Sequence, residues 1–514
     1  MKSNKLRHGF MIFANFIFIW LLTIILVASF LYSNTVYNTI QQWPLFGLTL
    51  LTVVILIGIF ICLKKLSPRF LKIITWINVF LIVILTIASY TTIRIKPGFD
   101  TYYCFEGAWE YLHHHCNWHL INPGITHYFF YQCNNLLPLT YIEMFLQRCL
   151  ALIGIHQFNT VYLIFCALNI VMFWSTVYLL YRLIKRHFSQ YIATGFTFMV
   201  FLCWPFYIIL DMFYTDWPAM LANVGILYCY DKLLNTNLRK NKNINIILII
   251  ICAIIGALMK FNVLITLMAI VIHYWMTHHS WRKFFVFALL LFIPTIGIET
   301  GLSKLSLINA PLPKTELGYP NINWPLMSLN AYNASYNDKW MSYTAKLKKH
   351  YKNTKKVSQI ETMQYLNEIS NDPQKLINSI ATHIENTYPD GTYGSLLLTT
   401  WSPLHKHQDN KSFIGSFVYA NGNNRNIYLY WTTAFSLSLI ALMLIGIITF
   451  IVRRQAIDFN YAIILTVLGN MLLLLIWETR SRYLLAFAPL MIYLACWGIN
   501  ELLMFIDNHK KNNK

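Results

Sequence analysis

Asp100 and Asp216 have the most chemistry to offer in this chain. Each lies at the end of an apolar stretch, Asp100 in Gly98-Phe99-Asp100-Thr101 and Asp216 in Tyr214-Thr215-Asp216-Trp217-Pro218. A carboxylate at a hydrocarbon boundary is costly to keep dry, and is usually retained because it acts on something. Placed there, it can take a proton from an acceptor hydroxyl. Asp100 is equally a good N-cap for a helix that opens after Pro97 and Gly98. Asp216 precedes Pro218, which suits a first helical turn. Two acids, Asp211 and Asp216, capping a hairpin is therefore the alternative to a site shared with Asp100.

Basic groups recur at the same depth. Lys260 is the only charge in the short connection between two apolar stretches, where it can snorkel or pair with a phosphate. Trp477-Glu478-Thr479-Arg480-Ser481-Arg482-Tyr483 puts two arginines at the mouth of the last apolar stretch. A guanidinium matches a phosphate bidentately. Carboxylates beside phosphate binders suit a phosphate leaving group and a nucleophile that needs a base. A sugar on a polyprenyl phosphate fits, with its tail in the bilayer and its head at the boundary. Glu478, Tyr483, Asp211 and His127, the last in Pro123-Gly124-Ile125-Thr126-His127-Tyr128, complete the candidate substrate-binding set.

The elements that must position these groups are membrane helices. Of 514 residues, 57% are hydrophobic and 12% charged, too apolar for a soluble protein of this size. The apolar runs are continuous, which excludes a β-barrel, and many approach the ~20 residues that cross about 30 Å of hydrocarbon. Twelve spans are expected, at 9–32, 44–63, 71–93, 159–181, 190–210, 215–233, 244–259, 261–277, 283–303, 428–451, 459–477 and 483–505. The net charge of +20 sits mostly in loops and sets topology rather than binding nucleic acid. Lys2/Lys5/Arg7, Lys64/Lys65/Arg69, Arg182/Lys185/Arg186, Arg239/Lys240/Lys242, Arg282/Lys283, Arg453/Arg454 and Lys510/Lys511 all fall on one side. Both termini are then cytoplasmic, and the first span reads as uncleaved.

The expected organisation is three helices in 1–93, an extracytoplasmic loop in 94–158, six helices in 159–303, an extracytoplasmic segment in 304–427 and three helices in 428–514. In the first loop, Tyr102, Phe105, Trp109 and Leu112 recur at helical spacing, with Glu106, Glu110 and His113 or His114 on another face. This predicts an interfacial helix that opens at Asp100. His113-His114-His115 with Cys116 and His119 matches no standard closed zinc site. Cys104, Cys116 and Cys133 share the loop, which leaves room for one bridge. In 304–427 the basic run from Lys346 to Lys356 reads as a solvated helix, with a surface for an anionic acceptor as the alternative. Asn321-Ile322-Asn323-Trp324-Pro325 and Trp401-Ser402-Pro403 are aromatic elements that either stack on sugars or dock the segment. The segment is expected to select the acceptor.

Taken together, these residues resemble the GT-C superfamily of integral membrane glycosyltransferases, most closely the bacterial branch of protein O-mannosyltransferase and aminoarabinose transferase type. The resemblance rests on Asp100 opening a large loop with Ala108 eight residues on, the Tyr214-Thr215-Asp216 turn, Lys260 in Leu258-Met259-Lys260-Phe261-Asn262, and Arg482-Tyr483 followed by Pro489. It implies an all-α polytopic fold of about twelve transmembrane helices. It also implies transfer of a sugar from a polyprenyl-phosphate donor to a cell-envelope glycan, lipid or protein, usually with inversion. Asp100 would be the base, Asp216 the second acid, and Lys260, Arg480 and Arg482 the phosphate contacts. No cofactor is expected, and a divalent metal is not favoured. The chain departs from many relatives by having three spans before the loop instead of one. Two other readings are a lipid-linked glycan polymerase or ligase, and a non-enzymatic transporter or flippase. The latter predicts paired ionisable groups deep within spans and broken helices.

Overall fold

Helices account for nearly all the structure of this computed structural model, which describes residues 2–31, 34–35, 38–93, 95, 97–278, 280–330, 338–401 and 412–512. The first part of the chain forms α1 (Lys2–Leu31), α2 (Gln42–Lys64) and α3 (Pro68–Thr92), with one two-residue antiparallel pair between α1 and α2. The first large loop folds into α4 (Asp100–His113), α5 (Pro123–His127), a π turn at Tyr128–Gln132, and α6 (Leu137–Leu152). Then come α7 (Phe158–His187), α8 (Gln190–Leu202), α9 (Pro205–Ile209), α10 (Asp216–Leu234), α11 (Arg239–Met259), α12 (Val263–His278) and α13 (Trp281–Leu305). The 304–427 segment supplies α14 (Asn323–Leu329), α15 (Asp338–Tyr351), α16 (Thr354–Asn371), α17 (Pro373–Thr387), α18 (Ser395–Trp401) and α19 (Gly415–Val418). The chain ends in α20 (Arg425–Val452), α21 (Asn460–Leu473), a 3-10 segment at Ser481–Phe487 and α22 (Ala488–Asn512).

Among the described residues, eight helices are long and apolar enough to cross a membrane. They coincide with eight of the twelve expected spans. At the other four positions the helices are shorter or more polar. The 190–210 stretch divides into α8 and α9 because Pro205 cannot continue the ladder. α12 and α21 have 16 and 14 residues. α10 carries Asp216, Asn223 and Asp231 on its buried surface. Such helices lie inside the bundle, where their polar groups find protein partners. Asn223, for example, accepts from Thr266 at 2.7 Å. α8, α12 and α21 are apolar but too short to cross by themselves. The contrast in burial is clear at the extremes: 17% of the apolar window of α13 is buried, against 78% of the window that begins at Ser481. The last helix is the centre of the bundle, and α20 packs along it. Gly446 and Gly498 let the two backbones meet.

Candidate functional site: an acid–base cluster at one end of the bundle

α4 opens with Phe99, not Asp100, in the cap position. Phe99 has φ 53°, a value rare for a bulky residue. The Asp100 carboxylate therefore caps nothing. Its Oδ1 accepts from the Tyr128 hydroxyl at 2.6 Å and its Oδ2 from the Tyr214 hydroxyl at 3.0 Å. Tyr128 comes from the π turn, a distortion common at functional sites, and is braced by Tyr103 stacked on its ring at 3.9 Å. Burial and the neighbouring Asp100 push the Tyr128 hydroxyl up from its ordinary value, so it stays protonated and donates. The Asp100 side chain remains 39% exposed. Each carboxylate oxygen keeps a further lone pair for a substrate proton.

Asp216 does not cap α10 either. It is 0% exposed and forms an ion pair with Lys260, which lies just past the end of α11. Arg482 joins the two acids. Its Nη2 is 3.9 Å from Asp100 Oδ2 and its Nε 3.7 Å from Asp216 Oδ2. These distances are ionic contacts and too long for hydrogen bonds. The guanidinium lies over the Tyr214 ring at 4.8 Å, and Lys260 Nζ is 4.7 Å from the Tyr483 ring. Three separate helix junctions and one loop thus meet at one point. Two carboxylates there face two cations, and the arginine still has donors to offer.

Glu478 belongs to the same cluster. Burial pushes its carboxyl up to about 7, against the pull of Arg480 and Arg482 and with the push of Asp100. Such a group is neutral in the folded protein below about 7. Its charge costs stability progressively as pH rises from the ordinary carboxylate range to that value. Glu478→Gln is therefore expected to be more stable than the unaltered protein at pH 8 and similar to it at pH 5. The gap, on the order of 3 kcal/mol at most, is read from thermal unfolding across pH. A gap that shrinks on raising the pH would contradict the assignment.

Two other expected residues make different contacts. Asp211 is buried, and its backbone carbonyl accepts from Tyr162 and Cys166 of α7, which anchors the turn behind the cluster. His127, next to Tyr128 in the chain, is exposed and stacks on Tyr131 at 4.6 Å. Lys348 presses beside it, and burial together with that charge pulls the imidazole down. The face of α4 is also not the one periodicity suggests. Thr101, Cys104, Phe105, Gly107, Ala108 and Tyr111 are buried while Tyr102 is exposed, because the helix packs on α6. The described cysteines are all free.

The basic run corrects a second expectation. Lys346, Lys349, Lys352, Lys355 and Lys356 are exposed, but Lys348 is 2% exposed. Its Nζ donates to the carbonyls of Tyr131 at 2.6 Å and Gly318 at 2.7 Å and lies over the Tyr131 ring at 4.1 Å. Next to it, Gly318 N donates to Phe130 O and Tyr319 N to Gln132 O, both at 2.9 Å. Lys348 is thus a peg that fastens the 304–427 segment to the π turn supporting Tyr128. Lys348→Met keeps the stem but orphans two carbonyls, at a cost of about 1–3 kcal/mol. The expected result is a lower melting temperature and faster proteolysis within 304–427. Unchanged values would show that the peg is dispensable. Asn323 is likewise turned inward, accepting from Thr344 at 2.6 Å. Ser402 and Pro403 of the second aromatic element lie outside the described residues.

Sequence reasoning missed one component. The 387–395 stretch is buried throughout and passes directly behind Arg482. A Cβ on Gly394 would lie 3.2 Å from Arg482 Cβ. Its only signal in the sequence is the turn-rich run Tyr388-Pro389-Asp390-Gly391-Thr392-Tyr393-Gly394, which composition alone assigns to an ordinary surface loop.

No curated protein and no solved structure matches the chain. A sequence model of the family described as conserved hypothetical integral membrane protein matches residues 5–502, and the chain belongs to that family.

Proposed function

We propose that this protein is a GT-C-type glycosyltransferase that moves a sugar from a polyprenyl-phosphate donor to a cell-envelope acceptor. In this reading twelve segments cross the cell membrane. The eight long apolar helices are joined by four inner crossings at α8–α9, α10, α12 and α21. The lysine- and arginine-rich ends place both termini in the cytoplasm, so the acid–base cluster faces the extracytoplasmic side.

The observation that carries the reading is the pairing of a half-exposed carboxylate, held by two tyrosine hydroxyls, with an arginine 3.9 Å away that has donors to spare. The acceptor oxygen attacks the anomeric carbon while the bond from that carbon to the phosphate oxygen breaks. The acceptor proton passes to Asp100, and the bonding electron pair leaves on the phosphate. Arg482 and Lys260 stabilise that developing negative charge, and Asp216 holds the two cations at the spacing they need. A single displacement of this kind inverts the anomeric centre. Glu478, its carboxyl raised to about 7 by burial, adds little negative charge beside the leaving group below that pH.

The test is direct. Purified protein in nanodiscs, given a polyprenyl-phosphate-linked sugar and an envelope extract, is expected to release polyprenyl phosphate and glycosylate a component of the extract. Donors that stay intact across the common envelope sugars would overturn the proposal. Mass analysis of envelope glycans in a deletion strain then names the product.

A further inference from the structure

The loop that bears Glu478, Arg480 and Arg482 is laced to the 379–395 stretch at regular intervals. His383 Nδ1 donates to the Leu475 carbonyl at 2.8 Å. The hydroxyls of Thr387 and Thr479 share a hydrogen bond of 3.0 Å. Ser481 Oγ donates to Asp390 Oδ2 at 2.5 Å. One step further on, Gly394, at φ 78°, packs against the stem of Arg482. Each tie advances three or four residues along one strand of chain and one to four along the other, so the two run side by side into the cluster.

Asp390 is the keystone of this lacing. It is 6% exposed, and its second oxygen, Oδ1, accepts from Thr392 N at 3.1 Å and Thr392 Oγ1 at 2.5 Å. The stretch has no slack to move. A Cβ on Gly391 would stand 2.3 Å from the Thr432 carbonyl oxygen, and Tyr393 is held at φ 49°, costly for an aromatic residue. By contrast, no hydrogen bond fixes the Arg482 side chain among the described residues, and its buried Nε has no acceptor. The two acids attract the guanidinium from 3.7 and 3.9 Å without aiming it. Beyond the Tyr214 ring beneath the guanidinium and Gly394 behind the stem, its direction comes from its backbone, which Ser481 and Asp390 anchor one residue earlier.

We infer that Asp390 is a positioning residue. Through Ser481 it sets the first turn of the 3-10 segment and so aims Arg482 at a phosphate headgroup on the open side of the cluster. The 387–395 stretch then acts as the brace of the anion site. The ligand named here rests on the proposed use of a polyprenyl phosphate; the aiming of Arg482 does not.

Two readouts separate these layers. Ser481→Ala removes one tie and little else, and Asp390→Asn removes the charge while keeping the shape. In nanodiscs, both variants are expected to bind farnesyl phosphate about tenfold more weakly while binding farnesol as the unaltered protein does; melting temperature is little changed in Ser481→Ala and somewhat lower in Asp390→Asn, whose amide N–H groups face buried donors. Their structures are expected to show Arg482 displaced from Asp100 and Asp216 in an otherwise unchanged bundle. A purely structural role for Asp390 would lower melting temperature and weaken both ligands alike. Arg482 in its original place in a folded Ser481→Ala protein would overturn the proposal. Should the unaltered protein bind farnesyl phosphate and farnesol equally, the phosphate reading fails, and the position of Arg482 in the variants still decides the brace. If Asp390→Asn does not fold, Ser481→Ala alone gives the answer.

Discussion

Asp100→Asn is expected to abolish sugar transfer while the protein stays folded. The amide has nearly the size of the carboxylate, and its oxygen still accepts from one of the two tyrosine hydroxyls. The partner it loses is Arg482 at 3.9 Å, an ionic contact at a partly exposed site that is worth little to stability. What disappears is the capacity to take a proton. A positioned general base typically contributes 10²–10⁴-fold, so the remaining rate should lie about that far below the unaltered rate. The measurement is release of polyprenyl phosphate, with gel filtration and thermal unfolding run on the same sample. Full activity in the variant would sink the proposed mechanism. A polymerase or ligase that leans on arginine would lose more to Arg482→Ala than to Asp100→Asn, which separates the two enzyme readings.

Lys260→Met is expected to produce the largest loss of stability among single changes at the cluster. Asp216 is 0% exposed and Lys260 is its direct ion-pair partner. Arg482 Nε, at 3.7 Å, is too far to replace that bond. Removing one partner of a buried pair leaves a charge without compensation, at a cost of about 3–5 kcal/mol. The methionine preserves the apolar stem, so the loss reports the charge and not the packing. Adding Asp216→Asn to Lys260→Met should restore part of the melting temperature, because the stranded charge is gone. The coupling between two contacting residues makes the double variant more stable than the sum of the single changes. If Lys260→Met melts where the unaltered protein does, the pair is not the buried, dry contact described here.

Much of the cluster was legible because membrane sequences carry depth. Asp100, Asp216, Lys260 and Arg482 each stand at the end of an apolar stretch, and in the twelve-span reading of the sequence these ends share a face. That puts four distant residues near one plane, and the structure brings them within contact of one another. Depth says nothing about lateral position: Asp211 is buried, and what the structure shows of it is a backbone carbonyl taken up by Tyr162 and Cys166 of α7. The apolar runs of α10, α12 and α21 were legible too, but their polar residues pair inside the bundle, and α12 and α21 are only 16 and 14 residues long.

By itself the sequence determined that this is a multi-pass helical membrane protein. That follows from its long continuous apolar runs, which satisfy their backbone groups in hydrocarbon as helices. Only the tertiary structure decided that Asp100 is held by Tyr128 and Tyr214 instead of capping a helix, that Lys348 is a buried peg, and that 387–395 braces the arginine loop. Those outcomes depend on partners 28 to 217 residues apart. Side chains of the same type read alike in a sequence, and it is the packing around each one that assigns it to solvent, to a partner or to a site.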